Sequence, residues 1–557
     1  MNEIRFFALG GLGENGKNMY VVDVDHQYFI LDAGIKYPTS ELYGVDEIIP
    51  DYRMLLKIKD RVKGIFLSHA HEDHISALPH ILKEINVPVY ATNFTLSVVK
   101  ENLKDHDLNL DDYKLNVINE DSIIKFGNVK VSFFNTAHSI PESVGIALHT
   151  LSGIIVYTSD FTFVQGKDRN YQTNFRKINE LADRGVLMLL TESLGSSTNQ
   201  DTSVFATLNH KINSIFADAR GRIIVSLFSS DLQKIQRVID IAILHKKRIA
   251  IIGRKAQRIV DLAIKQGYLN IPAQSLVNLK FIDEKNKNED EDLVCFVTGD
   301  RHEPFYQLRR MCNMTDRLIH INHYDTIILL TAPVPGTEKM AANTLDVLYR
   351  SDANVEVISK SLLSSSHASA EEIKMMINLL RPKFVVPTIG EYRHQYGVRL
   401  LAESLGYNSE DVILLENGDA FYYQTNQSYI AKNEIKTGEI LIDGTAFGDV
   451  NEFVMRDREV LSADGVVLLI ANISAKQKKI IGHLEVITKG FVYVRESADI
   501  LEEINKHFLT TINSHFENKY INWNELKTAV RDDIGKYIFQ ATKRKPIIIP
   551  VIVSVEI

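Results

Sequence analysis

His69-Ala70-His71-Glu72-Asp73-His74 follows directly on the apolar, strand-like run Gly64-Ile65-Phe66-Leu67-Ser68. The six residues carry four metal-ligating side chains, His69, His71, Asp73 and His74. Two imidazoles at i and i+2 on a tight turn can close on one divalent ion, while the carboxylate and imidazole that follow face a second ion a few ångströms away. The bland alternative is a solvated polar loop rich in histidine. It needs three of the chain's eighteen histidines to fall at ligand spacing by chance.

Composition bounds the rest. A chain of 557 residues with 45% hydrophobic content is long enough for several domains, each with its own core. Cys295 and Cys312 are its two cysteines, too few for a secreted disulfide framework, so a reduced cytoplasmic setting is expected. Met1-Asn2-Glu3-Ile4-Arg5 does not open a signal peptide, and no window approaches the roughly 18 apolar residues of a membrane span. No membrane partner is expected. A formal charge of −8 supplies no global attraction to nucleic acid, so a nucleic-acid substrate would have to meet a local basic groove.

The first sixty residues alternate short apolar runs with turns, Ile4–Leu9, Met19–Val24 and Gln27–Asp32, and read as a sheet. Gly11-Leu12-Gly13-Glu14-Asn15-Gly16 matches the dinucleotide fingerprint, which works only where the third glycine opens a helix. Here it runs into Met19–Val24, so a hairpin turn is the expectation. From about residue 205 strand–helix units repeat: Arg222–Ser226, a helix over 231–245, Arg248–Ile252, a helix over 257–266. These imply an α/β unit with a parallel sheet. The polar run Asp283–Asp292 reads as a surface loop, and Leu293–Gly299 resumes the pattern. After a connector, a C-terminal unit shows strands at Gly465–Ile473 and Phe491–Val494, helices at Ile500–Phe516 and Trp523–Thr542, and a final strand at Pro546–Val555.

The order His-x-His-x-Asp-His closely resembles that of the metallo-β-lactamase superfamily. That resemblance implies further ligands in His138, in Asn135-Thr136-Ala137-His138-Ser139, and Asp160, which ends Ile154-Ile155-Val156-Tyr157-Thr158-Ser159-Asp160. Asp32, at the end of Tyr28-Phe29-Ile30-Leu31, fits either a carboxylate that orients a ligand imidazole or a turn-forming Asp before Ala33-Gly34. An α/β insertion between two parts of such a fold is the plan of the β-CASP nucleases, and segment by segment the chain resembles the ribonuclease J family. The stretches that carry this are Leu9–Glu14 with Gly16-Lys17-Asn18-Met19, Arg222–Ser226, Thr298-Gly299, Glu303-Pro304, Pro333-Val334-Pro335-Gly336, Gly490–Ser497 and Thr542–Pro546. The implied fold is α/β: a metallo-β-lactamase αββα sandwich, an inserted β-CASP α/β domain and a small C-terminal α/β domain. The expected division is 1–205 and 359–425 for the sandwich, 206–358 for the insertion, 426–449 as linker and 450–557 as association domain.

Departures from the family pattern shape the functional expectation. Glu192 stands where the family usually has Asp, and His367 keeps the histidine motif, but Leu363 replaces a typical histidine. Val386-Pro387-Thr388-Ile389-Gly390-Glu391 matches a Pro-x-His-Gly-Glu pattern in all but the histidine. Ile389 cannot ligate a metal. One ion is expected on His69, His71, His138 and a share of Asp160; the other keeps Asp73, His74 and the rest of Asp160 and is weak.

The expected cofactor is a divalent metal, zinc or manganese, at up to two ions. The expected chemistry is metal-assisted phosphodiester hydrolysis. By resemblance, Asp73, His367 and Glu192 serve catalysis, and Ser364, Ser365, Ser366 and His367 receive a 5′ phosphate. Arg254, Lys255, Arg258, Arg301, Arg309 and Arg310 are candidates to face an RNA backbone. The implied activity is that of a 5′–3′ exoribonuclease that also cuts internally, acting in mRNA decay and rRNA maturation and weakened by Ile389. Its expected partners are single-stranded RNA with a 5′ monophosphate, a ribonuclease J paralogue in a hetero-oligomer, and a second copy of itself. The competing expectation is a largely noncatalytic RNA-binding subunit that supports an active paralogue.

Overall fold

Strands that read as continuous apolar runs need cover on both faces, and Met19–Val24, Val186–Glu192 and Phe384–Thr388 are buried at every position. In the computed structural model that cover comes from a four-layer stack. One eight-stranded sheet runs in the order Gln427–Ala431, Ala420–Gln424, Ile4–Gly10, Met19–Val24, Gln27–Leu31, Val62–Phe66, Val89–Ala91, Leu115–Val117. A six-stranded sheet runs Phe384–Thr388, Val186–Glu192, Gly153–Tyr157, Val144–Thr150, Val129–Asn135, Ile123–Phe126. Phe6, Tyr20, Val22, Phe29 and Phe66 of the first meet Val131, Phe133, Ile146, Tyr157, Met188 and Val386 of the second in one core. The second sheet's outer face packs under Phe175–Asp183, Ala370–Leu380 and Tyr392–Ser404 through Ile178, Ile373, Ile377, Val398 and Ala402. The helices Leu78–Glu84 and Asn93–Asp105 pack together beside Leu115–Val117 of the first sheet. This is the expected αββα sandwich.

The structure describes residues 3–38, 42–163, 168–198, 204–279, 291–334, 336–363, 366–444, 446–447, 452–491, 498–517 and 520–555. The positions of the expected polar loop up to 290, and those of the expected strand Phe491–Val494 after Phe491 itself, lie outside them.

Between Val186–Glu192 and Phe384–Thr388, which lie side by side and parallel, the chain makes a five-stranded sheet. Its order is Arg248–Ile252, Leu293–Gly299, Ile223–Phe228, Thr326–Leu329, Asn354–Val357, with every pair parallel. The alternation of strand and helix forces this, since parallel neighbours require crossover connections. The expected helix over 231–245 spans Leu232–Leu244, where the Asp231 side chain accepts from the Lys234 N–H. The helix expected from 257 begins three residues earlier, at Arg254. Arg222, just before the central strand Ile223–Phe228, makes a buried two-point pair with Asp325, just before its neighbour Thr326–Leu329, at 2.8 and 2.6 Å.

The glycine-rich segment is a turn, as its sequel predicts. Met19–Val24 pairs antiparallel with Ile4–Gly10, and Gly11, Gly13 and Gly16 all take positive φ, the backbone region that L side chains avoid.

The chain divides into two compact units, Met1–Tyr37 with Ile48–Ile440, and Pro38–Glu47 with Leu441–Ile557. In the second, Lys479–Lys489, Val466–Ser474 and Ile547–Ser554 form a sheet, and helices Ala498–Phe516 and Trp523–Thr542 cover one face through Ile504, Phe508, Ile512, Val530, Ile534 and Ile538. Lys479–Lys489 is an element the sequence reading missed. Its Gly482 and His483 break the apolar alternation that marks a strand. Among the described residues no helix is long and apolar enough to cross a membrane.

Candidate metal centre

Loops that leave the carboxyl ends of strands in both sheets meet at one edge of the sandwich, the common place for a site in α/β architecture. Val62–Phe66 leads into His69 and His71, and a short helix, Glu72–Ile75, begins immediately after His71. His138 follows Val129–Asn135, Asp160 follows Gly153–Tyr157, Glu192 ends Val186–Glu192, and Ile389 follows Phe384–Thr388. The backbone at Gly34 passes so close to this turn that a Cβ there would lie 1.6 Å from the Asp73 carbonyl oxygen.

Four predicted ligands converge. One ligand atom from each of His69, His71, His138 and Asp160 lies within 4.8 Å of all the others. Asp160 Oδ2 is 3.7 Å from His69 Nε2, 3.8 Å from His138 Nε2 and 3.6 Å from His74 Nε2. The outward nitrogens are already used. His138 Nδ1 donates to the Ser366 carbonyl at 2.8 Å and His71 Nε2 to the Ser230 carbonyl at 3.3 Å, which leaves His138 Nε2 and His71 Nδ1 facing each other at 3.1 Å with lone pairs inward. Ser68 and Ser159 hydroxyls flank His69 Nδ1 at 3.0 and 3.4 Å. His69 Nε2 and Asp160 Oδ1 are buried without a hydrogen-bond partner. Buried polar atoms ordinarily have one, and a cation is the partner this donor set fits.

The electrostatics agree. Burial first, and then neighbouring imidazoles, hold His69 and His138 well below the usual histidine range, and burial lowers His71. All three are therefore neutral, the form that binds metal. Burial would raise the Asp160 carboxyl, but His367 and His74 hold it well below the carboxylate range. At His74 burial opposes the charged ring, yet Asp73, Asp32 and Asp160 outweigh it and raise the ring well above its ordinary value.

Asp32 lies at the predicted supporting position. Its Oδ2 accepts from His74 Nδ1 at 2.7 Å, from the Tyr157 hydroxyl at 2.7 Å and from the Ser68 hydroxyl at 2.9 Å. Glu192 and His367 also come together. Glu192 Oε1 accepts from the Phe161 and Ala368 N–H groups, and Oε2 from His367 Nδ1 at 2.9 Å. Burial pushes Glu192 up to about 7. The Asp160 and Glu192 carboxylates overcome burial and push His367 up to about 9. Asp160, Glu192 and His367 offer a second set of ligand atoms within 4.8 Å of one another; among the described residues Asp73, His74 and Asp160 form no such set.

Other expectations have different outcomes. Ser364 and Ser365 lie outside the described residues, as do the side chains of Arg254 and Lys255. Ser366 meets His138 through its carbonyl. Arg258 is paired with Asp105, and Arg301 stacks on Tyr37 at 4.5 Å. Ile389 is fully buried in the sandwich core at φ 50°, and its N–H donates to the Tyr20 hydroxyl at 3.0 Å. His394, five residues on from Ile389, accepts at Nδ1 from the Glu391 N–H as part of a helix cap, and no metal-ligand group among the described residues includes it. Sequence reasoning missed Asn18, Tyr20 and Tyr157. Each is an ordinary strand or turn residue whose partners are remote in the chain.

Known proteins resemble this chain along its whole length. Residues 12–206 match the model of the metallo-beta-lactamase superfamily and 220–348 that of the ribonuclease J beta-CASP domain. Residues 354–413 match a Zn-dependent metallo-hydrolase RNA specificity domain, and 453–555 the ribonuclease J C-terminal domain. Ribonuclease J 2 of Staphylococcus aureus (strain NCTC 8325 / PS 47) is 37% identical over 552 residues, covering 99% of this chain and 98% of that protein. Ribonuclease J 2 of Staphylococcus epidermidis strain RP62A is 37% identical over 550 residues, with the same coverage. A crystal structure of a protein of unknown function from Enterococcus faecalis V583 shares the fold at a TM-score of 0.54 and 15% identity, over 76% of this chain and all of that one.

Proposed function

The chain belongs to the ribonuclease J family, and from that premise we propose that it is a slow, metal-dependent ribonuclease that works with one firmly held cation. The observation that carries this reading is the pairing of a complete ligand group, His69, His71, His138 and Asp160, with an isoleucine at 389. A bound zinc or manganese ion would lower the pKa of a coordinated water and offset charge building on the phosphoryl oxygens. His71 and His138 hold their inward lone pairs by spending their other nitrogens on carbonyls. His367, kept protonated by Glu192 and Asp160, stands ready to donate a proton to a leaving oxygen. Asp73 is the candidate to orient the attacking water, and Ser364, Ser365 and Ser366 to receive a 5′ phosphate.

The substrate we assign is single-stranded RNA with a 5′ monophosphate, cut from its 5′ end and also internally, in cytoplasmic mRNA decay and rRNA maturation. The working division of the chain is 1–205 with 359–425, 206–358 and 450–557; the expected linker 426–449 instead contains Gln427–Ala431, a strand of the eight-stranded sheet, and the second unit resumes at Leu441. The test is the full chain, its metal content measured, on 5′-monophosphorylated and 5′-triphosphorylated RNA, beside His138→Ala. We expect slow cleavage that prefers the monophosphate and is lost with His138. Absence of metal-stimulated cleavage in the wild type would refute the enzymatic reading.

The alternative is an RNA-binding subunit that supports an active ribonuclease J paralogue, or associates with itself. It draws on the strand Ile547–Ser554, where Ile549, Val551 and Val553 are exposed on the sheet edge of the second unit. Co-sedimentation with a paralogue, with and without 450–557, tests it. Association unaffected by the deletion would remove that domain from the interface.

A further inference from the structure

Of the cations that the sequence offers to an RNA backbone, Arg258 is paired with Asp105 and Arg301 is stacked on Tyr37. A chain of net charge −8 meets a polyanion only on a local basic surface. The second compact unit carries one. Lys536, Phe539 and Lys543 recur at i, i+3 and i+7 along the helix Trp523–Thr542 and its C-cap, a spacing that sets them on one face. All three are exposed, Phe539 at 41%. Arg544 and Lys545, also exposed, follow without a break. Lys489 joins them from another element. It ends the strand Lys479–Lys489 opposite Val466, whose partner on the other side is Ile547, two residues past Lys545.

These charges are gathered rather than dispersed. Two ammonium groups share the Phe539 ring, with Lys543 Nζ 5.7 Å and Lys545 Nζ 4.9 Å from its centroid. Arg544 Nη1 donates to the Phe491 carbonyl, two residues past Lys489, at 2.9 Å. Like charges this close repel. The ion pairs described in this unit lie elsewhere, at Arg458, Lys506 and His507, and among the described residues none of the five cations is ion-paired with a carboxylate. Asp464 stands beside them, where it accepts the backbone N–H of Lys545 at 2.9 Å. The bland reading is a helix C-terminus that attracts cations. That attraction is confined to the last turn and is worth about 0.3–1 kcal/mol per cation, which accounts for Lys543. It leaves Lys536 further up the helix, Lys489 on a separate strand, and the exposed ring among them without a role.

A flexible polyanion that also presents flat apolar faces fits all of them, because phosphates neutralise the cations while an unstacked base lies on the ring. Anionic lipid or an acidic protein surface meets the charges alone, and RNA is the polyanion that ribonuclease J chains handle. We propose that this surface of the second unit binds single-stranded RNA, with Lys489, Lys536, Lys543, Arg544 and Lys545 on phosphates and Phe539 beneath a base. The inference rests on the reading of RNA as the substrate and is independent of hydrolysis and of how many ions the centre holds.

The experiment is fluorescence anisotropy of a labelled, unstructured RNA with the full-length protein, in EDTA to silence cleavage, over a series of salt concentrations. The triple variant Lys543→Gln, Arg544→Gln, Lys545→Gln removes three phosphate contacts. It should flatten the slope of log affinity against log salt by about 2 and weaken binding at least about tenfold at physiological salt. Phe539→Leu, which keeps an apolar side chain and removes the ring, should weaken binding about fivefold or more and leave the slope unchanged. Lys543→Arg with Lys545→Arg should bind as the wild type does. Lys489→Gln with Lys536→Gln, on separate elements, should flatten the slope by about 1 and decides the question if the triple variant loses the wild-type circular dichroism. Equal affinity and slope in wild-type and glutamine variants would overturn the proposal and leave the nuclease reading standing. A loss in the arginine variant equal to that in the triple variant would mean a structural role for the segment and overturn it as well. A wild type that binds no RNA would remove the substrate reading with it.

Discussion

Ile389→His places a nitrogen donor on the turn that follows Phe384–Thr388, and its energetic signature can be worked out. Ile389 is fully buried; exchanging its side chain for a polar ring forfeits about 1.5–3 kcal/mol of apolar burial. A buried imidazole without a partner costs about 1–3 kcal/mol more. Against this, a β-branched residue at φ 50° is held in a left-handed conformation that histidine tolerates better, and relief of that strain recovers about 1–3 kcal/mol. In chelator the variant should therefore be less stable than the wild type by roughly 1–3 kcal/mol. Metal reverses the sign. A cation at a hundred times its Kd adds about 2.7 kcal/mol by mass action, and the variant is expected to bind a second cation more tightly than the wild type does. Thermal melts in EDTA and in manganese should show a transition several degrees below wild type in the first and a larger metal-induced rise in the second, at roughly 2–4 °C per kcal/mol. RNA cleavage should rise with the metal-induced shift. A variant that loses stability in EDTA yet gains no more from manganese than the wild type would mean that position 389 no longer faces the ligands, and the account of this centre would fall.

The Glu192–His367 pair predicts a pH dependence. His367 rises from its ordinary 6.5 to about 9 in the folded, metal-free protein, so its stabilising contribution is complete below pH 6.5 and is lost as pH climbs through 9. Glu192, raised from 4.5 to about 7, likewise loses its contribution as pH rises across that interval. Urea melts in EDTA should thus show stability falling from pH 6.5 to 9 in the wild type and a flatter profile in His367→Gln; equal slopes would contradict the pairing. Asp325→Ala strands the buried Arg222 guanidinium and should cost about 3–5 kcal/mol in denaturant unfolding of the first unit, a loss below about 1 kcal/mol counting against it. Gly34→Ala drives a Cβ into the Asp73 carbonyl; equilibrium dialysis should show weakened metal binding with secondary structure retained, and unchanged affinity would show that the turn yields freely.

Legibility in this sequence followed the range of the interactions. Met19–Val24 and Val186–Glu192 are apolar at nearly every position because a layer covers each face, and that continuity is visible residue by residue. The glycine turn was legible because the strand after it excludes the helix a dinucleotide site requires. Lys479–Lys489 was not, since its glycine and histidine interrupt the alternation and pairing with Val466–Ser474 supplies what propensity lacks. In the centre, His69, His71, Asp73 and His74 stand out by spacing alone, whereas Ile389 draws notice only through the resemblance of Val386–Glu391 to the family's Pro-x-His-Gly-Glu pattern.

By itself, then, the sequence determined the layered α/β architecture and offered the candidate ligands of the His69–His74 turn, because strand periodicity and a six-residue ligand cluster are local properties of the chain. Tertiary structure alone decided which of those side chains lie close enough together to share a cation. Glu192 and His367 are 175 residues apart and meet because Val186–Glu192 and the segment before Ala370–Leu380 flank one strand end. Asn18 reaches His74 across 56 residues, and no periodicity encodes an amide's orientation. That orientation is set by a buried tyrosine hydroxyl and a backbone N–H that the fold brings to it, where an unpaired polar atom is costly enough to leave one arrangement.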